Sequence, residues 1–218
     1  MIEDVQSKTR IFAADLLLMN ATFANELFRQ SIRNYHVTDH VDTPINNPYA
    51  PGELAFLLYQ KNWIDTVQWH LEDIIRSPTI SPDELVAIKR RIDQSNQDRT
   101  DTVELIDSYF EEQFRSITPK PTARMNSETP AWLLDRMSIL QLKLYHFREQ
   151  TDRQDVSAEH RQKAQQKLRV LLEQEQDLAQ CFDELIEDIQ NGDRYMKVYR
   201  QMKMYNDPTL NPVLYGQS

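Results

Sequence analysis

Two helix starts of the same design divide this chain. Ser81-Pro82-Asp83-Glu84 offers an N-cap hydroxyl, a proline at the first helical position and a glutamate placed to close a capping box. Thr129-Pro130 repeats the cap-plus-proline pair. Each start follows a stop: Ser77-Pro78 ends one helix, and Pro119 and Pro121 end the next. Between these breaks apolar residues recur every three to five positions, the signature of helices packed on one side. The spacing predicts helices over 3–35, 53–76, 81–114, 129–150 and 157–192, the last capped by Ser157 and stopped by Gly192. Residues 36–52, with Pro44, Pro48, Pro51 and Gly52, read as a long loop. Only 3 glycines occur in the whole chain, which argues against Gly-rich phosphate loops and a many-turned β fold.

The expected fold is all-α, a single domain over residues 1–218. Two helical hairpins form a four-helix-bundle core over 53–192. An N-terminal helix at 3–35 and a basic C-terminal arm at 194–218 pack outside it. The hairpins read as a pseudo-repeat. Moved by 76 positions, Trp69-His70-Leu71 falls on Tyr145-His146-Phe147; moved by 79, Gln97-Asp98 falls on Gln176-Asp177. The expected inward stripes are Leu57, Ile64, Val67, Leu71 and Ile74 on the second helix, and Leu133, Met137, Leu140, Leu144 and Phe147 on the fourth.

A formal charge of −9 makes nonspecific binding to nucleic acid or an anionic membrane unexpected. The apolar run at 11–19 is too short for a span and is broken by Asp15. One cysteine, Cys181, excludes an internal disulfide and a Cys-based zinc cluster, and fits a cytoplasmic setting. Beside Phe182 it reads as a core residue. The arm interleaves Arg194, Lys197, Arg200 and Lys203 with Tyr195, Tyr199 and Tyr205. It carries +3, leaving the rest near −12, so it is expected to pack on the chain's own acidic surface or on a second copy. A homodimer is the expected assembly.

Asp93–Thr102 contains no hydrophobic residue, yet the stripe of the third helix passes through Asn96 and Arg99. Glu175 takes a stripe position on the fifth helix, and His70 and His146 flank the stripes of the second and fourth. These five residues are expected at one level of the bundle. Buried charge is expensive unless paired, so the belt is either a closed network or a site open to a ligand. Glu104 and Asp107 stand one helical turn apart, with Asp73 a further carboxylate, and such pairs can hold Mg²⁺. The all-α nucleoside-triphosphate pyrophosphohydrolases use a pair of this kind with Glu-x-x-Glu on the preceding helix. Here that helix offers only adjacent Glu72-Asp73. Di-iron sites need Glu-x-x-His, which the bundle helices lack.

Several long motifs occur in one order: Trp69-His70-Leu71-Glu72-Asp73, Lys89-Arg90-Arg91-Ile92-Asp93 with Asn96-Gln97 and Asp101, Glu128-Thr129-Pro130, and Asp135-Arg136-Met137-Ser138-Ile139-Leu140 with Lys143 and His146. Lys203-Met204-Tyr205-Asn206-Asp207-Pro208 follows. Together they resemble the bacterial domain-of-unknown-function family 4254 over most of residues 30–215. Ala131 departs from the pattern, where the family has glycine. The resemblance implies no reaction. It implies an association with surface-polysaccharide assembly, because members are encoded near glycosyltransferases. Its motifs add Asp135, Arg136 and Lys143 to the belt.

The first functional reading is therefore a small anionic or phosphorylated ligand held by Asn96, Arg99, Arg136 and Lys143. The acid–base candidates are His70, Glu72, His146 and Glu175. Two alternatives stand beside it. One is a non-enzymatic, homo-oligomeric scaffold with a structural polar core. The other is a metal-dependent nucleotide pyrophosphohydrolase-like enzyme using Asp73, Glu104 and Asp107. The sequence leaves open whether the chain is an enzyme and which cofactor it uses.

Overall fold

The computed structural model describes residues 19–215 apart from 203, 205 and 206. Five long helices follow in order: α1 (Ala21–Tyr35), α2 (Leu54–Ile74), α3 (Pro82–Gln113), α4 (Pro130–Asp152) and α5 (Ala158–Gln190). Local chemistry sets their ends. Ser81 accepts from the Glu84 amide and the Glu84 side chain reaches back, completing the capping box. Thr129 and Ser157 cap α4 and α5 through the Trp132 and His160 amides. Gly192 stops α5 at φ +73, where its amide bonds Ile189 O and the Asp193 amide bonds Asp188 O. That paired arrangement is a Schellman stop.

The expected hairpins form, α2 against α3 and α4 against α5. One shared core holds Leu58, Val103, Phe110, Leu134, Met137 and Phe182. The N-terminal helix packs deeper than an outer layer. Phe28 and Ala24 of α1 are fully buried in the same core, and Ile32 and Tyr35 are sealed beside it. Each large apolar side chain buried this way contributes about 1.5–3 kcal/mol. The helix also starts later than expected. Asn20 caps it through the Phe23 amide, so Met19 and Asn20 are not helical. Residues 3–18 of that expectation lie outside the described residues.

The stripe expected on α2 is corrected. Leu71 is buried, but Leu57, Ile64 and Val67 are half-buried and Ile74 is exposed. The face that turns inward runs through Leu54, Leu58, Lys61, Asn62, Asp65 and Thr66. Cys181 is also corrected: it is exposed, one position before buried Phe182 on α5.

After α5 the chain turns back across the bundle. Arg124–Met125 (β1) pairs in parallel with Arg194–Tyr195 (β2), a two-residue contact. Arg200 then bonds the Glu104 carboxylate at 3.2 Å and Ser108 Oγ at 2.9 Å, laying the arm on an acidic face of α3. A short helix α6 (Pro212–Tyr215) follows. Lys203, Tyr205 and Asn206 lie outside the described residues. Among the described residues no helix is long and apolar enough to cross a membrane.

Candidate functional site

The inward face of α2 meets α3 and α4 through charge. Lys61 pairs with Asp65 one turn along its own helix and with Asp135 Oδ1 of α4 at 2.8 Å. Arg99 of α3 forks onto Asp135 through Nε, at 2.8 Å, and Nη2. Asp65 accepts from Ser138 Oγ at 2.6 Å, and Asn62 donates to the same hydroxyl at 2.9 Å. Lys61, Asp65 and Asp135 are buried, as are Asn62 and Ser138. Two cations face two carboxylates, so the network is neutral and every charge has an opposite partner. This closure is the condition under which buried ions are tolerated.

The carboxylates are not equivalent. Burial pushes Asp65 above the usual range; Lys61 pulls against it, and the Asp135 charge adds to the rise. Burial would raise Asp135 as well, but Lys61 and Arg99 outweigh it and hold that carboxyl below the usual range. Arg99 is raised because Asp135 overrides its desolvation. Asp135 is therefore the fixed anion and Asp65 the softer acid.

A cavity of about 350 Å³ opens over this network. Asp65 and Arg99 form part of its lining, with Trp69, Ile139 and Leu142 as apolar walls and Gln68, Glu72, Asp73 and Arg76 as polar ones. Arg99 keeps 28% of its side chain exposed. Gln68 donates to Asn96 at 2.9 Å, and Arg76 pairs with Glu72 at 2.6 Å. The lining thus presents three carboxylates against two guanidiniums.

The expected single belt is spread along the bundle. Asp135, which holds Arg99, and His146 stand eleven positions apart on α4, about 16 Å of helix. Asn96 lies on Gln68 near the cavity. Glu175 sits elsewhere, bonded to Arg29 at 2.6 Å and Gln141 at 2.7 Å. Arg136 and Lys143 do not join Arg99: both are exposed, and Arg136 pairs with Glu128 at 2.8 Å. The three carboxylate candidates for metal do not converge either. Asp73 lines the cavity, Glu104 binds Arg200 and the Gln201 amide, and Asp107 is buried.

His70 and His146 do meet, with ring centres 5.6 Å apart. His36, at the end of α1, joins them, and one nitrogen from each lies within 4.8 Å of the others. Among the described residues this is the group with the spacing of metal ligands.

Sequence reasoning missed Lys61, Asp65 and His36 as site residues. A signal existed for the first two: Leu54, Leu58, Lys61 and Asp65 follow one helical stripe, so the pair continues an apolar face. No comparable signal marks His36, which precedes a loop.

No curated protein and no solved structure matches the chain. A family model does, over residues 55–198. That span holds α2 from its second residue through α5, the charge network and two of the three clustered histidines. The chain belongs to the family described as protein of unknown function (DUF4254).

Proposed function

We propose that the chain is a small-molecule-binding protein whose ligand seats in the Arg99 cavity. The observation that carries this reading is an open volume of about 350 Å³ directly over a buried, neutral ion network. Apolar pockets with a few converging polar groups are the usual form of a ligand site. The lining also refines the ligand class expected from the sequence. Arg136 and Lys143 are not in the lining, so the cavity is not a cluster of cations. Its mixed charge suits a small molecule with an anionic group for Arg99 and Arg76 and amino or hydroxyl groups for Glu72 and Asp73. Trp69, Ile139 and Leu142 supply its apolar contact. Asp65, the softer acid, is the group placed for proton transfer.

Native mass spectrometry of gently purified, unstripped protein tests this. The expected result is extra mass of one small organic molecule per chain, lost in Trp69→Ala and Arg99→Lys. Unadorned chain mass, with no thermal stabilisation by a panel of phosphorylated and amino compounds, would sink it.

A second reading is favoured by the closure of the Lys61–Asp65–Arg99–Asp135 network: an interaction protein in which these charges fix helix register. Arg99→Ala separates the two. The ligand reading requires lost binding with helical structure kept, and the structural reading requires lost stability with no bound molecule to lose.

A further inference from the structure

His36 follows α1, while His70 and His146 come from α2 and α4. Hydrogen bonds specify which nitrogen His36 and His146 present. His36 Nδ1 lies 2.7 Å from the Ile32 carbonyl, an acceptor, so Nδ1 carries the proton and Nε2 the lone pair. His146 Nδ1 lies 2.8 Å from the Glu149 carboxylate, which fixes the same tautomer. Its Nε2 is buried with no hydrogen-bond partner. The Nε2 atoms of His36 and His70 are 3.3 Å apart.

These distances match a shared ion. Ligand nitrogens at ~2.1 Å in a tetrahedral set stand ~3.4 Å apart, with imidazole centres roughly 5.3 Å apart. The three ring centres are 5.3, 5.5 and 5.6 Å apart, at steep mutual angles. A hydrogen bond between His36 and His70 would explain the 3.3 Å contact alone. It would leave the buried His146 Nε2 without a role.

A carboxylate stands at the open side. Asp39 Oδ1 lies 3.9 Å from His36 Nε2 and 3.7 Å from His70 Nε2. Asp39 holds φ +50, the positive value found at a non-glycine position among the described residues, and its amide bonds Tyr35 O at 3.0 Å. Such backbone conformations collect at ligand sites. Aromatic rings enclose the cluster: Tyr35 stacks on His70, Tyr145 lies 4.3 Å from His36, and Trp69 stacks on His146. Ile32 and Glu149 are outer partners of the kind that orient metal-binding imidazoles.

We propose that His36, His70 and His146 form a mononuclear three-imidazole site for a divalent first-row transition ion, with the Asp39 carboxylate beside two of the rings. Zn²⁺ is the ion whose tetrahedral, nitrogen-rich preference the site meets. This inference is independent of the ligand reading of the Arg99 cavity, although Trp69 is common to both.

The test is a Co²⁺ titration of the full chain after chelator treatment, followed by visible d–d bands. One equivalent should bind with the intensity of a tetrahedral centre and be displaced by Zn²⁺. His70→Gln and His146→Gln should each weaken binding about a hundredfold, and Asp39→Asn about tenfold. His40→Ala and His160→Ala, which alter exposed histidines, should leave it unchanged. Retained affinity in the His70 or His146 variant, or no binding by wild type, overturns the proposal. If those variants lose their helical circular dichroism, X-ray absorption of Zn²⁺-loaded wild type decides. Three imidazoles support the site, and fewer overturn it.

Discussion

Asn62 donates to Ser138 Oγ at 2.9 Å, and the two residues are 76 positions apart. His70 and His146, whose rings are 5.6 Å apart, are separated by the same 76 positions. The offset that aligns the hairpins in sequence therefore also pairs α2 with α4 in space. Both contacts share one register, eight residues apart, so the two helices run parallel with equivalent faces toward each other. The charge network extends from the first contact and the histidine cluster from the second. His36 comes from outside the repeat.

The unequal carboxylates predict unequal mutants. Asp135→Asn strands Lys61 and the forked Arg99, and should cost about 3–5 kcal/mol. Asp65→Asn removes the softer acid and should cost less, roughly 1–3 kcal/mol. Urea unfolding of both variants measures the order. Equal losses would count against the assignment of Asp135 as the fixed anion.

Acid should weaken the histidine end. Burial, then His36 and His146, hold His70 below its ordinary value, while Asp39 and Asp73 pull the other way. The unfolded chain takes up this proton near pH ~6.5, and the folded site accepts it only at lower pH. Stability from this group is therefore fully present above that value and declines as pH falls through the window below it. Unfolding midpoints of metal-free protein across this range should fall with acid, and less steeply in His70→Gln.

Gly192→Ala should destabilise the end of α5 by about 1–2 kcal/mol, since a side chain is disfavoured at positive φ. The added carbon would also meet the Thr118 carbonyl oxygen at 3.0 Å. Because the Gly192 carbonyl accepts from the Lys120 amide, the β1–β2 contact should loosen too. Hydrogen exchange at Arg124 and Asn126 reports it; unchanged protection there would disconnect the stop from the strand pair.

Arg136→Ala and Lys143→Ala should change stability by less than about 0.5 kcal/mol, because both side chains are exposed. Neither should alter a ligand bound over Arg99. Loss of the retained molecule in either variant would reinstate the wider cationic site expected from sequence.

Arg200→Glu should free the arm from α3 by placing like charge beside Glu104. Limited proteolysis should then cut near residues 196–202 sooner than in wild type, with the helical signal unchanged. Equal cutting rates would mean that the β1–β2 contact and the Gln201 amide bond to Glu104 retain the arm without Arg200.

The amino-acid order by itself determined where most helices begin and end. Ser81, Thr129, Ser157 and Gly192 act through bonds to residues within a turn or so of themselves, so their effect is readable locally. Leu133, Met137, Leu140 and Leu144 of the α4 stripe were readable for the same reason, as an apolar period, while Phe147 of that stripe is only half-buried. Leu54, Leu58, Lys61 and Asp65 share one stripe in the sequence, but only the tertiary structure decided that this face of α2 turns inward. Lys61 and Asp65 are buried because Asp135, Arg99 and Ser138 arrive from two other helices to satisfy them. It also turned Arg136 outward, exposed Cys181 one position from a buried phenylalanine, and brought His36 to two histidines from distant helices. Side-chain charge and ligation depend on partners far along the chain, and helical periodicity carries no information about them.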